Sequence, residues 1–113
     1  MHELSLATAM VEQLEEILTR EGGTRIVRIA LRLGAMSGVD RDAFEFAFPE
    51  AAGGTPAEGA VLVIEEVPLA LSCRRCGHCA TTEEPIMICP ACGFMEVDVV
   101  QGREFTVTSM EVL

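Results

Sequence analysis

The sequence has no lysine, no tryptophan and no tyrosine, and only two histidines among its 113 residues. Five phenylalanines supply all the aromatic content, so a core must be built from Val, Leu, Ile, Ala and Met. Every base is one of eight arginines, set against 18 acids for a formal charge of −10. Such a surface repels phosphate backbones and argues against nucleic-acid binding. It suits the attraction of cations, or of a basic patch on a partner protein. No stretch approaches the roughly 20 apolar residues that cross a bilayer. The best run, from Ala60 to Leu71, is interrupted by Glu65, Glu66 and Pro68. Glu3 comes early and Arg20 is the first base, so the start lacks the basic segment of a signal peptide, and a cytoplasmic protein with no membrane partner is expected. There is no Ser-His-Asp set, phosphate loop or dinucleotide fingerprint, so the chain is not expected to be an enzyme.

Against these absences stand five cysteines crowded between Cys73 and Cys92. In a cytoplasmic chain that density points to metal ligation, not to disulfides. Cys73-Arg-Arg-Cys76-Gly77 and Cys89-Pro-Ala-Cys92-Gly93 are two C-x-x-C-G units. Each pair wraps two thiolates around one ion, and the following glycine takes the positive φ that lets backbone amides approach the sulfurs. Two such knuckles complete a tetrahedral sulfur site, the arrangement of structural Zn(II). Cys76-x-x-Cys79 has the same spacing, but Ala80 follows Cys79, so Cys73, Cys76, Cys89 and Cys92 are the preferred ligands. His78 then reads as a solvated loop residue and Cys79 as a spare thiol. A closed four-sulfur site has no open position for hydrolytic chemistry.

The rest of the chain predicts an α+β fold. Leu4, Ala7, Val11, Leu14 and Leu18 recur at helical spacing from about residue 4, and Gly22-Gly23 ends the helix. Residues 24–33 alternate as a half-buried strand, with Val27, Ile29, Leu31 and Leu33 on one face and Arg28 and Arg32 on the other. Ser37 or Asp40 caps a second helix carrying Phe44, Ala47 and Phe48, which Pro49 ends or bends. Residues 51–59 read as loop, and 61–67 and 104–113 as two further strands. The expected architecture is two helices on a small three-stranded sheet, with an inserted zinc-ribbon-like four-cysteine domain between two adjacent strands. Residues 1–68 plus 103–113 form the first domain and 69–102 the second.

The opening Met1-His2-Glu3 adds a second metal-binding possibility. The terminal amine, the His2 amide nitrogen and the His2 imidazole reach one ion through small unstrained chelate rings. That planar nitrogen set is preferred by Ni(II) or Cu(II) rather than zinc. The bulk of His2 opposes removal of Met1, so the amine should persist.

Met-His-Glu opening a helix, an Arg-punctuated strand ending in Leu33-Gly34, two C-x-x-C units and a closing strand with Ser109-Met110-Glu111-Val112 together resemble the HypA/HybF hydrogenase-maturation nickel chaperones. The resemblance runs nearly end to end. It implies a metallochaperone that delivers Ni(II), as transient cargo, for maturation of [NiFe] hydrogenase, with Zn(II) in a structural role. It implies nickel ligation by Met1 and His2, with Glu3 close by and Asp40 near the metal, and zinc ligation by the four paired cysteines. The implied partners are a maturation GTPase and the hydrogenase large subunit, for a monomer or weak homodimer. Two rival readings come from other classes. A zinc-ribbon adaptor fits the cysteines but not the charge or the terminus. A rubredoxin-like iron electron carrier fits the same sulfurs but lacks an aromatic shell.

Overall fold

The computed structural model describes residues 2–84 and 86–113. Its elements are α1 (His2–Arg20), β1 (Ile26–Gly34), α2 (Arg41–Ala52), β2 (Val61–Val67), β3 (Leu69–Cys73), β4 (Cys79–Thr82), β5 (Val97–Gln101) and β6 (Phe105–Val112). The fold is α+β, with two helices, a three-stranded sheet in the order β2-β1-β6 and a second three-stranded sheet in the order β4-β3-β5. The chain divides into two compact units. One takes Met1–Leu31, Val39–Ile64 and Val107–Leu113, and the other takes Arg32–Gly38 and Glu65–Thr106.

In the first unit α1 buries Ala7, Met10, Val11, Leu14 and Leu18 along one stripe. It packs against α2, which buries Phe44, Ala47, Phe48 and Ala52. Burial of a large apolar side chain stabilises by about 1.5–3 kcal/mol, so these stripes hold the helices in place more firmly than propensity does. The helix α1 starts at His2, two residues before the expected point. Asp40, not Ser37, caps α2: its Oδ1 accepts from the Ala43 N–H at 2.9 Å. Pro49 does not end that helix, which continues to Ala52 with Gly53 N–H donating to the Pro49 carbonyl at 3.0 Å.

The central strand β1 departs from the expected alternation. Ile26, Ile29, Leu31 and Leu33 are buried, whereas Val27 is exposed. Alternating burial therefore holds from Ile29 to Leu33 but not at Val27. The bonds flanking β1 set the strand directions. Leu113 N donates to Arg25 O and Gly34 N to Glu104 O, so β6 runs antiparallel to β1. Ile26 N donates to Pro56 O and Ala35 N to Val67 O, so β2 runs parallel to β1 after the α2 crossover. The cysteine module is therefore inserted between strands on opposite sides of β1, not between adjacent strands as expected.

The second unit is built on β3, which pairs antiparallel with β4 (Ser72 opposite Cys79) and with β5 (Cys73 opposite Val97). Leu69 and Leu71 are fully buried between them. Within this unit the turn after β1 is fastened by Ala35 N to Val67 O at 2.9 Å and Met36 N to Gly102 O at 2.6 Å. Gly34 lies against Gly102, and a Cβ on Gly34 would overlap the Gly102 carbonyl. Gly38 has φ +80° but open space around it. Gly34→Ala is therefore expected to cost about 3 kcal/mol or more in urea unfolding, because backbone must move. Gly38→Ala is expected to cost only about 1–2 kcal/mol, from the positive φ alone.

Candidate metal centre

Two backbone turns of the same design carry the four sulfurs. At the first, Cys73 N–H donates to His78 O at 2.9 Å and Gly77 N–H to Cys73 O at 3.0 Å. At the second, Cys89 N–H donates to Phe94 O at 2.9 Å and Gly93 N–H to Cys89 O at 2.8 Å. Gly77 (φ +74°) and Gly93 (φ +77°) take the left-handed conformation that closes each turn. Neither glycine has a crowding neighbour, so conformation alone accounts for the residue type.

The turns bring Cys73 Sγ within 3.7 Å of Cys92 Sγ and Cys76 Sγ within 3.6 Å of Cys89 Sγ. All four sulfurs lie within 4.8 Å of one another. A tetrahedron with metal–sulfur bonds of about 2.3 Å has sulfur–sulfur edges of about 3.8 Å, so the cluster has the dimensions of a zinc site. Among the described residues this is the one group of His, Cys, Asp or Glu side chains so disposed. Cys73 and Cys89 are buried, and Cys76 and Cys92 are exposed.

Without a cation the thiols titrate unequally. The Cys76 N–H donates to the Cys73 sulfur at 3.4 Å and so does that of Arg75, which lowers the Cys73 thiol to about 6 against the burial that opposes it. Cys89 is lowered in the same way by the Cys92 and Ala91 amides. The His78 amide favours the Cys76 thiolate, but burial and the sulfurs of Cys89, Cys73 and Cys92 push that thiol up to about 12. Cys92 is also raised: the Phe94 amide is outweighed by burial and by the sulfurs of Cys73 and Cys89. Four thiolates at this spacing repel one another, and a divalent cation removes that repulsion.

Two contacts brace the turns. Arg74 places Nε 3.0 Å and Nη2 2.7 Å from Asp98 Oδ1 on β5, and Arg75 lies 5.3 Å from the centroid of the Phe94 ring, joining the first knuckle to the second. Neither was found from the sequence, because Arg74 and Asp98 are 24 residues apart and no spacing rule links them. Cys79 is exposed on β4 and outside the four-sulfur cluster, and His78 contributes a backbone carbonyl to the first turn.

At the other end of the chain, His2 is exposed in the first turn of α1. Glu3 Oε2 is 3.5 Å from the Asp40 N–H, so the structure brings Glu3 and Asp40 together. Asp40 keeps its Oδ1 on the α2 cap. Met1, the remaining expected nickel ligand, lies outside the described residues.

A small α+β protein with a four-cysteine site fitting structural zinc is the class that fold and site define. A family model described as "Hydrogenase/urease nickel incorporation, metallochaperone, hypA" matches residues 1–112. The hydrogenase maturation factor HypA of Nitrosospira multiformis is 36% identical over 113 residues, covering 100% of this chain and 98% of its own. That of Synechococcus elongatus is 43% identical over 114 residues, with both chains fully covered. The solution structure of the Ni metallochaperone HypA from Helicobacter pylori superposes with a TM-score of 0.69 at 25% identity, covering 98% of this chain and 97% of that one. A second HypA solution structure gives a TM-score of 0.73 at 26% identity, covering 100% and 97%. The chain belongs to the HypA family of hydrogenase-maturation nickel metallochaperones.

Replacing Cys89 with Ser is expected to abolish stoichiometric zinc, measured by elemental analysis of the purified protein, and to expose the amides of β3–β5 to hydrogen exchange. Cys79→Ser is expected to leave one zinc per chain. Acid should release the metal, because protons compete for the sulfurs that zinc requires as thiolates.

Proposed function

We propose that this chain carries one Ni(II) at its amino terminus and passes it to the hydrogenase-maturation machinery, while zinc held by Cys73, Cys76, Cys89 and Cys92 keeps the second unit folded. The observation that supports the nickel reading is the position of His2, exposed in the first turn of a helix whose apolar stripe is buried. The first four N–H groups of a helix have no intrahelical acceptor, so the His2 amide is free to serve as a ligand. The Met1 amine, the His2 amide nitrogen and the His2 imidazole then supply a planar set that selects Ni(II) over zinc. Glu3, held against the α2 cap at Asp40, places a carboxylate where it offsets the added positive charge. Asp40 acts through that cap, its Oδ1 accepting from the Ala43 N–H.

Delivery rather than catalysis follows from the chemistry. Few ligands at an exposed terminus allow transfer by ligand exchange, and a closed sulfur tetrahedron offers no open coordination position. The nickel body comprises residues 1–68 and 103–113 and the zinc body residues 69–102. The receiving partners are a maturation GTPase and the hydrogenase large subunit, met in the cytoplasm. The family description names urease beside hydrogenase. No helix of the described residues is long and apolar enough to cross a membrane.

Nickel titration of tag-free protein beside His2→Ala tests the reading. The substitution is expected to weaken nickel binding at least 100-fold, about 2.7 kcal/mol, with zinc content unchanged. A one-residue extension before Met1 should do equal damage, because it displaces the amine. Equal nickel affinity in all three proteins would remove the assignment. Affinity should fall in mild acid, since only the neutral amine and imidazole bind.

A further inference from the structure

We propose that the second unit carries a docking cleft for an extended peptide segment of another protein, one that sets a large apolar side chain beside a basic one. The cleft has a volume of about 510 Å³ and is lined by Thr82, Glu83, Glu84, Ile86, Ile88 and Pro90. It is built by the chain that joins the two knuckles. Thr82 is fixed opposite Leu69 at the end of β4. Just beyond, the Glu84 carbonyl accepts from the Ile86 N–H at 2.8 Å and from the Thr82 hydroxyl. At the far end Cys89 N–H donates to Phe94 O at 2.9 Å within the second turn. The walls are thus anchored at both ends, which lowers the ordering cost of a ligand that enters.

Apolar side chains exposed singly need no explanation, but these converge on one concave surface. Ile86 is 50% and Ile88 41% exposed, and both line the cleft with Pro90. A small apolar molecule in so open a cleft would keep much of its surface in water. A peptide can set one side chain there and continue along β4. In the order β4-β3-β5 that strand is terminal, so among the described residues no strand pairs with its outer flank. An extended segment gains backbone hydrogen bonds at such an edge, while the cleft reads one of its side chains.

Charge sets the sign of the occupant. Glu83 and Glu84 are both exposed, and among the described residues no basic side chain lines the cleft. From Cys76 to Gly102 the chain holds four acids, Glu83, Glu84, Glu96 and Asp98, and no arginine. Arg74, just before this stretch, is engaged by Asp98 at 2.7 Å. A lysine or arginine next to the apolar anchor therefore meets two carboxylates that the cleft does not itself neutralise. An acidic segment is repelled, as is a second copy of this chain at formal charge −10. One apolar anchor and two solvent-exposed ion pairs make the contact weak, with a dissociation constant on the order of 100 micromolar. The inference is independent of nickel at the terminus, since every residue it uses lies in the second unit.

Selection from a displayed library of random heptapeptides on the zinc-loaded full chain tests it. The expected winners place arginine or lysine beside leucine, isoleucine or phenylalanine. As synthetic peptides they are expected to shift the amide resonances of Thr82, Glu84, Ile86 and Ile88, and to bind several-fold more weakly as salt screens the carboxylates. Glu83→Gln combined with Glu84→Gln is expected to weaken binding about fivefold and to remove most of the salt dependence. Ile86→Ser is expected to weaken it about tenfold with zinc content unchanged. Should that variant lose zinc, the resonance map of the unmutated chain and the double glutamine variant decide the matter. No enriched sequence, winners without a basic residue, shifts confined to other residues, or undiminished binding by the double glutamine variant would each overturn the proposal.

Discussion

Four sulfurs within 4.8 Å of one another must either share a cation or keep their protons, and the second unit is arranged around that constraint. The apolar content of β3–β5 is small: Leu69, Leu71 and the two inner cysteines are its buried residues outside the strand junctions. A module of this size does not bury enough surface to offset its chain entropy unaided. A cation bound only by the folded arrangement would supply the difference. The amides that donate to the Cys73 sulfur, the Arg74–Asp98 pair and the Arg75–Phe94 contact all hold the sulfurs at a tetrahedron's edge lengths. The same closure that stabilises the module denies it reactivity.

The first unit solves a different problem, that of fixing the first turn of α1. Termini are ordinarily the least ordered part of a domain. Here five buried residues on α1 anchor a helix that runs to its second residue, and the Glu3–Asp40 contact ties its first turn to the cap of α2. Anchoring lowers the entropy lost when a ligand is captured there. On the proposed reading, donor chemistry separates the cargo from the structural metal. Nitrogen donors in a plane favour Ni(II), and four thiolates in a tetrahedron favour zinc.

Much of this architecture was legible in the residues because it is written in short-range periodicity and spacing. Ala7, Val11, Leu14 and Leu18 fixed α1, and the C-x-x-C-G repeats fixed both knuckles, since each depends on neighbours within a few residues. The misreadings came where distant contacts intervene. Alternation places Val27 in the core, but it lies at the start of β1, where it is 38% exposed. Pro49 was read as ending or bending α2, yet the Phe48 and Ala52 packing carries the helix past it. Strands β3 to β5 were not separated within the cysteine module, because four- and five-residue strands leave little period to detect. The pairing of Glu3 with the Asp40 amide spans 37 residues, and no local pattern announces it.

On the proposed reading, nitrogen donors at the terminus hold nickel while sulfur holds zinc. Nickel-edge X-ray absorption on protein loaded with one equivalent of each metal tests that division directly. A first shell of nitrogen and oxygen scatterers alone at nickel, with four sulfurs at the zinc edge, is the predicted result. Sulfur scattering at the nickel edge would contradict it.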